Sequence, residues 1–204
     1  MLSEAIGTWV RSKMLVVGRA FASIGITPNM ATIIGLVLNV IVAVILGFGH
    51  PIIAGVLLLL ASAFDMVDGS IARATNTISK FGGFFDSTID RYSEIVVYVG
   101  LLVWLNSEGD NDLGSVLILV ACTGALMVSY ARARAEALGY KASVGILARP
   151  ERVILLALCL IIKQPMWALW ILAVLTHVTA VWRIWHVHGE AAADGEIHSQ
   201  KQQS

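Results

Sequence analysis

Residues 65–90 read DMVDGSIARATNTISKFGGFFDSTID and place four aspartates, Asp65, Asp68, Asp86 and Asp90, inside sequence otherwise apolar enough for a membrane. On a helix Asp65, Asp68, Gly69 and Ala72 fall at i, i+3, i+4 and i+7 and share one face, and Asp86 and Asp90 do the same in the next segment. An ionised carboxylate at membrane depth costs at least ~2.5 to 3.5 kcal/mol on insertion scales, so four persist only if something neutralises them together. Hard oxygen ligands from two facing helices suit Mg²⁺, Mn²⁺ or Ca²⁺. Polar side chains acting as glue between helices are the plainer reading, but glue needs one or two polar groups rather than four acids.

The rest of the chain supports the membrane reading. Of its 204 residues 57% are hydrophobic and only 14% charged, and the mean hydropathy is +0.79. A polytopic membrane protein fits this composition and an ordinary soluble domain does not. We expect one helical domain over residues 1–188 and a polar tail over 189–204. Cys122 and Cys159 sit in apolar segments without metal-ligand spacing and imply no disulfide. Glu4, Arg11, Lys13 and Arg19 are interleaved with apolar residues, which is not the pattern of a cleaved signal peptide.

The expected fold is an all-α integral membrane protein, six transmembrane helices preceded by an N-terminal amphipathic interfacial helix. Residues 2–22 set Ile6, Trp9, Val10, Leu15, Val16, Ala20 and Phe21 against Arg11, Lys13 and Arg19, a basic amphipathic pattern too polar to span. Spans are expected at about 30–48, 52–75, 83–105, 113–136, 152–163 and 165–187, with Asn29 as N-cap of the first. The fifth is short at its apolar core. The sixth carries Trp167, Trp170, Trp182 and Trp185 toward its ends, as an aromatic belt does. Positive charge falls on every second side: Arg11, Lys13 and Arg19, then Arg73 and Lys80, then Arg132, Arg134, Lys141, Arg149 and Arg152, then Arg183 and Lys201. That alternation puts both termini, and the opening of the aspartate site, on the cytoplasmic side of the cell membrane.

Asp65-x-x-Asp68-Gly69-x-x-Ala72-Arg73, eight residues, then Gly82-x-x-x-Asp86-x-x-x-Asp90 resembles the signature of the CDP-alcohol phosphotransferase family at every fixed position. Eight fixed positions match by chance at about 10⁻¹⁰ per starting point. The resemblance covers roughly residues 20–190. It implies transfer of a phosphatidyl group from a CDP-linked lipid to an alcohol with release of CMP, and it implies a homodimer. It makes Asp65, Asp68, Asp86 and Asp90 the ligands of two Mg²⁺ or Mn²⁺ ions, with Asp90 also the catalytic base. Gly69 and Ala72, without bulk, would let cytidine and ribose approach, although close helix packing explains them equally well. Arg73 would contact the diphosphate, and its fork matches phosphate oxygens. The resemblance adds Asn29, Met30, Ala31, Thr32 and Ser79, with Asp68, as contacts of the CDP-lipid.

The acceptor is read from a second cluster. Arg132, Arg134, Arg149, Arg152 and Arg183, with Lys141, exceed what orientation needs, and arginines within spans ask for an anionic partner: Glu136, Glu151 or a phosphate on the acceptor. Residues 133–136 and 149–152 resemble the branch of the family whose acceptor is inositol 1-phosphate and whose donor is CDP-diacylglycerol. Glycerol 3-phosphate also brings a phosphate and is the nearest rival, and nothing in the sequence separates a diacylglycerol from an archaeol donor. A divalent-cation transporter is the rival from another class, but a basic mouth repels cations. No nucleic-acid partner is expected.

Overall fold

The computed structural model describes residues 14–109 and 111–195, and among these it is all α. Residues Met14–Ser23 form α1, followed by α2 (Pro28–Gly47), α3 (Pro51–Phe64), α4 (Met66–Ala74), α5 (Lys80–Ser107), α6 (Asp112–Ala137), α7 (Arg149–Ile161) and α8 (Pro165–Ala193). Residues 2–13 of the expected interfacial helix and residues 196–204 of the expected tail lie outside the described residues. The chain divides into two compact units, Met1–Trp104 and Leu105–Ser204.

Proline sets the helix starts. All four prolines, Pro28, Pro51, Pro150 and Pro165, stand in the first turn of a helix, where the missing N–H has no intrahelical partner to lose. The expected boundaries therefore shift by a few residues. In α2 the cap is Thr27, not Asn29, because Pro28 occupies the first helical position and the Thr27 hydroxyl accepts from Met30 N–H at 3.3 Å. Asn29 is thereby pushed into the first turn. The span expected at 52–75 is broken at Asp65 into α3 and α4. Helix α8 runs on to Ala193, five residues into what was expected to be tail.

Four stretches are long and apolar enough to cross a membrane: Pro28–Gly47, Pro51–Ala74, Asp112–Ala137 and Pro165–Ala193. The protein is a multi-pass membrane protein. Helix α5 is not among the four because Asp86, Asp90, Arg91 and Glu94 interrupt its apolar run, and α7 has only 13 residues. In lipid, helices associate through close packing of small residues more than through exclusion of water.

In the first unit α1 lays Val17, Phe21 and Ala22 against Ala31, Val67 and Ile71, and Phe21 meets Phe64 edge to face at 5.8 Å. A β-carbon on Gly18 of α1 would lie 2.5 Å from the Ser70 carbonyl oxygen, so the backbones of α1 and α4 touch. Val16 and Ala20, expected on the apolar face, are exposed along with Arg19 and Ser23, so the packed face is turned by one residue from the sequence expectation. Helices α2 and α5 make a second backbone contact at Ala43 and Gly100. In the second unit α6 packs along α8, with Ala121, Ala125 and Val128 of α6 and Leu172, Ala173 and Ala180 of α8 buried and Gly124 receiving Thr176.

The glycine contact gives a stability test. A Gly100 β-carbon would lie 2.5 Å from the Ala43 carbonyl oxygen, and backbone cannot swing away as a side chain can. Gly100→Ala is expected to destabilise the protein by about 1–3 kcal/mol through overpacking. Gly189→Ala, with nothing within 4 Å of the new carbon, should leave stability unchanged or raised by up to about 1 kcal/mol. Thermal unfolding in detergent compares them, and equal melting temperatures would contradict the packing.

Candidate active site

The site is built within the first unit. A cleft of about 520 Å³ is walled by Thr27, Pro28, Asn29 and Thr32 from the start of α2 and by Asp68, Gly69, Ala72 and Arg73 from α4. Its remaining wall is Thr77, Ile78 and Ser79 from the link, with Gly82, Gly83 and Asp86 from the start of α5. Local chemistry fixes this wall. Asn76 ends α4 in the left-handed region at φ 55°, which asparagine tolerates better than most residues. Ser79 then caps α5, its hydroxyl accepting from Gly82 N–H at 2.9 Å.

Two helix N-termini, those of α2 and α5, therefore line one cleft. Thr27 and Ser79 cap one first-turn N–H each, and the positive end of a helix dipole at each start favours bound anions. Arg73 adds a full positive charge on the same wall. A β-carbon on Gly69 would come within 3.3 Å of Arg73 Nη1, so the bare glycine leaves room for the guanidinium above it. Gly83 has nothing within 4 Å of a β-carbon and opens onto the cleft.

The acids sit differently from one another. Asp68 is buried, its Oδ2 accepts from the Thr32 hydroxyl at 2.8 Å, and its Oδ1 accepts from Gly69 N–H. Asp65 occupies the break between α3 and α4 and faces Gly35 of α2, where a β-carbon would stand 2.7 Å from Asp65 Oδ1. Asp86 lines the cleft. Asp90 lies one turn further along α5, with its carboxylate 3.9 Å from Arg91 Nη1. Among the described residues no three Asp, Glu, His or Cys side chains converge into a ready-formed metal cage. The expected four-carboxylate cluster is thus seen as two acids on the cleft wall and two beside it.

In the second unit the basic residues divide by burial. Arg183, 4% exposed, donates from Nε to Val144 C=O at 2.9 Å and from Nη1 to Val128 C=O. Arg152, 2% exposed, donates from Nη1 to Leu147 C=O at 3.1 Å. Arg132 is exposed and pairs with Glu136 at 2.8 Å, and Arg134 is exposed beside it. Arg132, Arg152 and Glu136 lie close enough to Arg183 to act on its charge, and guanidinium forks match phosphate oxygens.

The sequence model of the CDP-alcohol phosphatidyltransferase family matches residues 25–182, more than half of the chain and all of the cleft. The chain belongs to this family. The archaetidylinositol phosphate synthase of Pyrococcus horikoshii is 38% identical over 157 residues, which are 76% of this chain and 80% of that protein. The phosphatidylinositol phosphate synthase of Mycobacteroides abscessus is 36% identical over 132 residues, 64% of this chain and 60% of that protein. Among solved structures, the phosphatidylinositol phosphate synthase of Mycobacterium tuberculosis with CDP-DAG bound superimposes with a TM-score of 0.81 at 28% identity, covering 85% of this chain and 92% of that one. The same enzyme has been solved with manganese and citrate, at a TM-score of 0.80.

As a CDP-alcohol phosphatidyltransferase, the chain brings most of its signature to one place. Asn29, Thr32, Asp68, Gly69, Ala72, Arg73, Ser79 and Asp86 share the cleft. Met30 and Ala31 do not line it: Met30 is half exposed and Ala31 is packed in the core. Sequence reasoning missed Thr27, Pro28, Thr77, Ile78 and Gly83 on the cleft wall and Gly35 opposite Asp65. Gly35 had a signal, since Thr32, Gly35 and Asn39 fall at i, i+3 and i+7 on one face of α2.

The Thr32–Asp68 bond can be tested directly. Thr32→Val keeps the shape and removes the donor, so stability should fall by roughly 1.5–3 kcal/mol, the range for a hydrogen bond to a charged group. Thr32→Ser should retain most of it. A Thr32→Val melting temperature equal to that of the wild type would show that the hydroxyl does not hold Asp68.

Proposed function

We propose that this CDP-alcohol phosphatidyltransferase transfers the phosphatidyl group of CDP-diacylglycerol to inositol 1-phosphate, releasing CMP and forming phosphatidylinositol phosphate. The observation that carries the donor half is the cleft in which two helix N-termini, Arg73 and the bare Gly69–Ala72 surface meet Asp68 and Asp86. The first features suit a diphosphate and a flat nucleoside, and the acids suit a cation bound with it. The acceptor half is supported by the arginines of the second unit and by the names of the relatives, which differ in the lipid and agree on inositol phosphate.

The donor atoms at the site are oxygens, the chemistry of hard divalent ions. Asp65, Asp68, Asp86 and Asp90 would hold two Mg²⁺ or Mn²⁺ ions, whose part is to neutralise the diphosphate and the departing CMP. This chain's own residues do the rest. Arg73 and the first turns of α2 and α5 bind and orient the diphosphate, with Asn29, Thr32 and Ser79 beside the nucleotide. Asp90 accepts the proton of the inositol hydroxyl as its oxygen attacks the phosphatidyl phosphorus. The bond from phosphorus to the CMP oxygen breaks, and CMP leaves with the electron pair. Arg132, Arg134, Arg149, Arg152 and Arg183 take the acceptor's phosphate.

The finer membrane arrangement belongs to the same reading. Helix α5, about 42 Å long at 1.5 Å per residue, completes a span once its acids are compensated, and α7, short at 13 residues, crosses with local thinning of the bilayer, giving six spans behind an interfacial N-terminal helix. The alternation of basic residues sets both termini and the cleft on the cytoplasmic side. The protein works as a homodimer.

Purified protein in lipid nanodiscs with labelled CDP-diacylglycerol and Mg²⁺ tests the reading. Inositol 1-phosphate should support CMP release at least about tenfold faster than glycerol 3-phosphate, the scale of one lost favourable contact, and a chelator should abolish turnover. CDP-archaeol run in parallel reads the preference for the lipid. Asp90→Asn should lower kcat by about 10²- to 10⁴-fold while CDP-lipid binding survives. Turnover with glycerol 3-phosphate and none with inositol 1-phosphate would overturn the acceptor, and cation flux without CMP release would overturn the enzyme reading.

A further inference from the structure

Between α6 and α7 residues 139–148 form no helix, so their backbone groups need partners from elsewhere. Helix α8 supplies three of them from one face. Thr179, Arg183 and Glu190 fall at i, i+4 and i+11. Glu190 Oε2 accepts from Lys141 N–H at 3.0 Å, Arg183 Nε donates to Val144 C=O at 2.9 Å, and Thr179 Oγ1 accepts from Ile146 N–H at 3.4 Å. The face alternates acceptor, donor and acceptor in step with the N–H, C=O and N–H it meets. Gly145, at φ 133°, lies directly over the Thr179 methyl, where no side chain would fit. Arg152 Nη1 holds the far end of the link at Leu147 C=O.

We propose that Thr179 and Glu190 are positioning residues for the acceptor site: they fix the 139–148 link, and with it the point at which α7 starts and presents Arg149 and Arg152. The inference rests on the reading that these arginines take the acceptor's phosphate. Neither Thr179 nor Glu190 carries the positive charge a phosphate needs: Thr179 spends its oxygen on link backbone, and Glu190 gives Oε2 to the link while its Oε1 faces His186 Nε2 at 3.4 Å. The same α8 face thus reaches the link with neutral and acidic acceptors and, through Arg183, joins it to the basic cluster.

Thr179→Val keeps the methyl and removes the acceptor, and Glu190→Ala removes the other; Thr179→Ser and Glu190→Gln keep an acceptor oxygen and serve as rescues. Two readouts are needed on the full-length protein in nanodiscs: amide hydrogen exchange across 139–148, and apparent KM for inositol 1-phosphate and for CDP-diacylglycerol with kcat. The Val and Ala variants should speed exchange at Lys141 and Ile146 and raise the inositol phosphate KM about 3- to 10-fold, the scale of one lost hydrogen bond. Donor KM and kcat should stay near wild type, and Ser and Gln should restore both readouts. Unchanged exchange would overturn the clamp. Faster exchange with an unchanged acceptor KM, while Arg134→Ala does raise that KM, would overturn the positioning role and leave the arginine reading standing. If no variant of either group moves the acceptor KM, the arginine reading fails and the positioning role falls with it.

Discussion

Charge in a medium that cannot solvate it is the constraint on which the structure depends. Four aspartates in apolar helices are costly unless each has donors or a counter-charge. Asp68 shows how the fold meets part of that demand: it is buried, with the Thr32 hydroxyl on one oxygen and Gly69 N–H on the other. Asp65 is given room by a glycine on the neighbouring helix. Two helix N-termini and Arg73 bring positive potential to the wall on which Asp68 and Asp86 lie. A wall that joins positive donors to carboxylates is suited to an anion and a cation arriving together, which is the composition of a metal-bound diphosphate.

The same constraint explains the second unit. Arg152 and Arg183 are almost wholly buried, and each gives hydrogen bonds to backbone carbonyls of the link between α6 and α7 or of α6 itself. A guanidinium has five donors, so it can satisfy loop carbonyls and still present N–H groups to a ligand. These arginines are therefore scaffold and candidate ligand contacts at once, and removing one costs packing as well as charge. The exposed pair of Arg132 and Glu136 is screened by solvent and contributes little to stability.

Much of this was legible in the sequence because its signals are local. Spacing of the acids and runs of apolar residues gave helices close to the observed ones, and the signature named Asp68, Gly69, Ala72, Arg73, Gly82 and Asp86 of the cleft wall. What failed depends on single hydrogen bonds or on the third dimension. Asn29 and Thr27 are both good caps, and only the fixed φ of Pro28 between them decides for Thr27. The break at Asp65 leaves no mark in an apolar run. Gly35 reads as an ordinary small residue until Asp65 is seen across from it, and the backbone carbonyls that engage Arg152 and Arg183 are invisible to any count of acidic partners.

The proposed function puts divalent ions among the aspartates, where they would offset the carboxylate charge. Mn²⁺ binding to the purified protein in lipid nanodiscs, followed by electron paramagnetic resonance with a non-hydrolysable CDP-lipid present, measures this directly. Saturable binding of two ions, weakened by about tenfold or more in Asp68→Asn and in Asp86→Asn while the fold is retained, is the predicted result. No saturable binding, or binding undiminished in both variants, would contradict it.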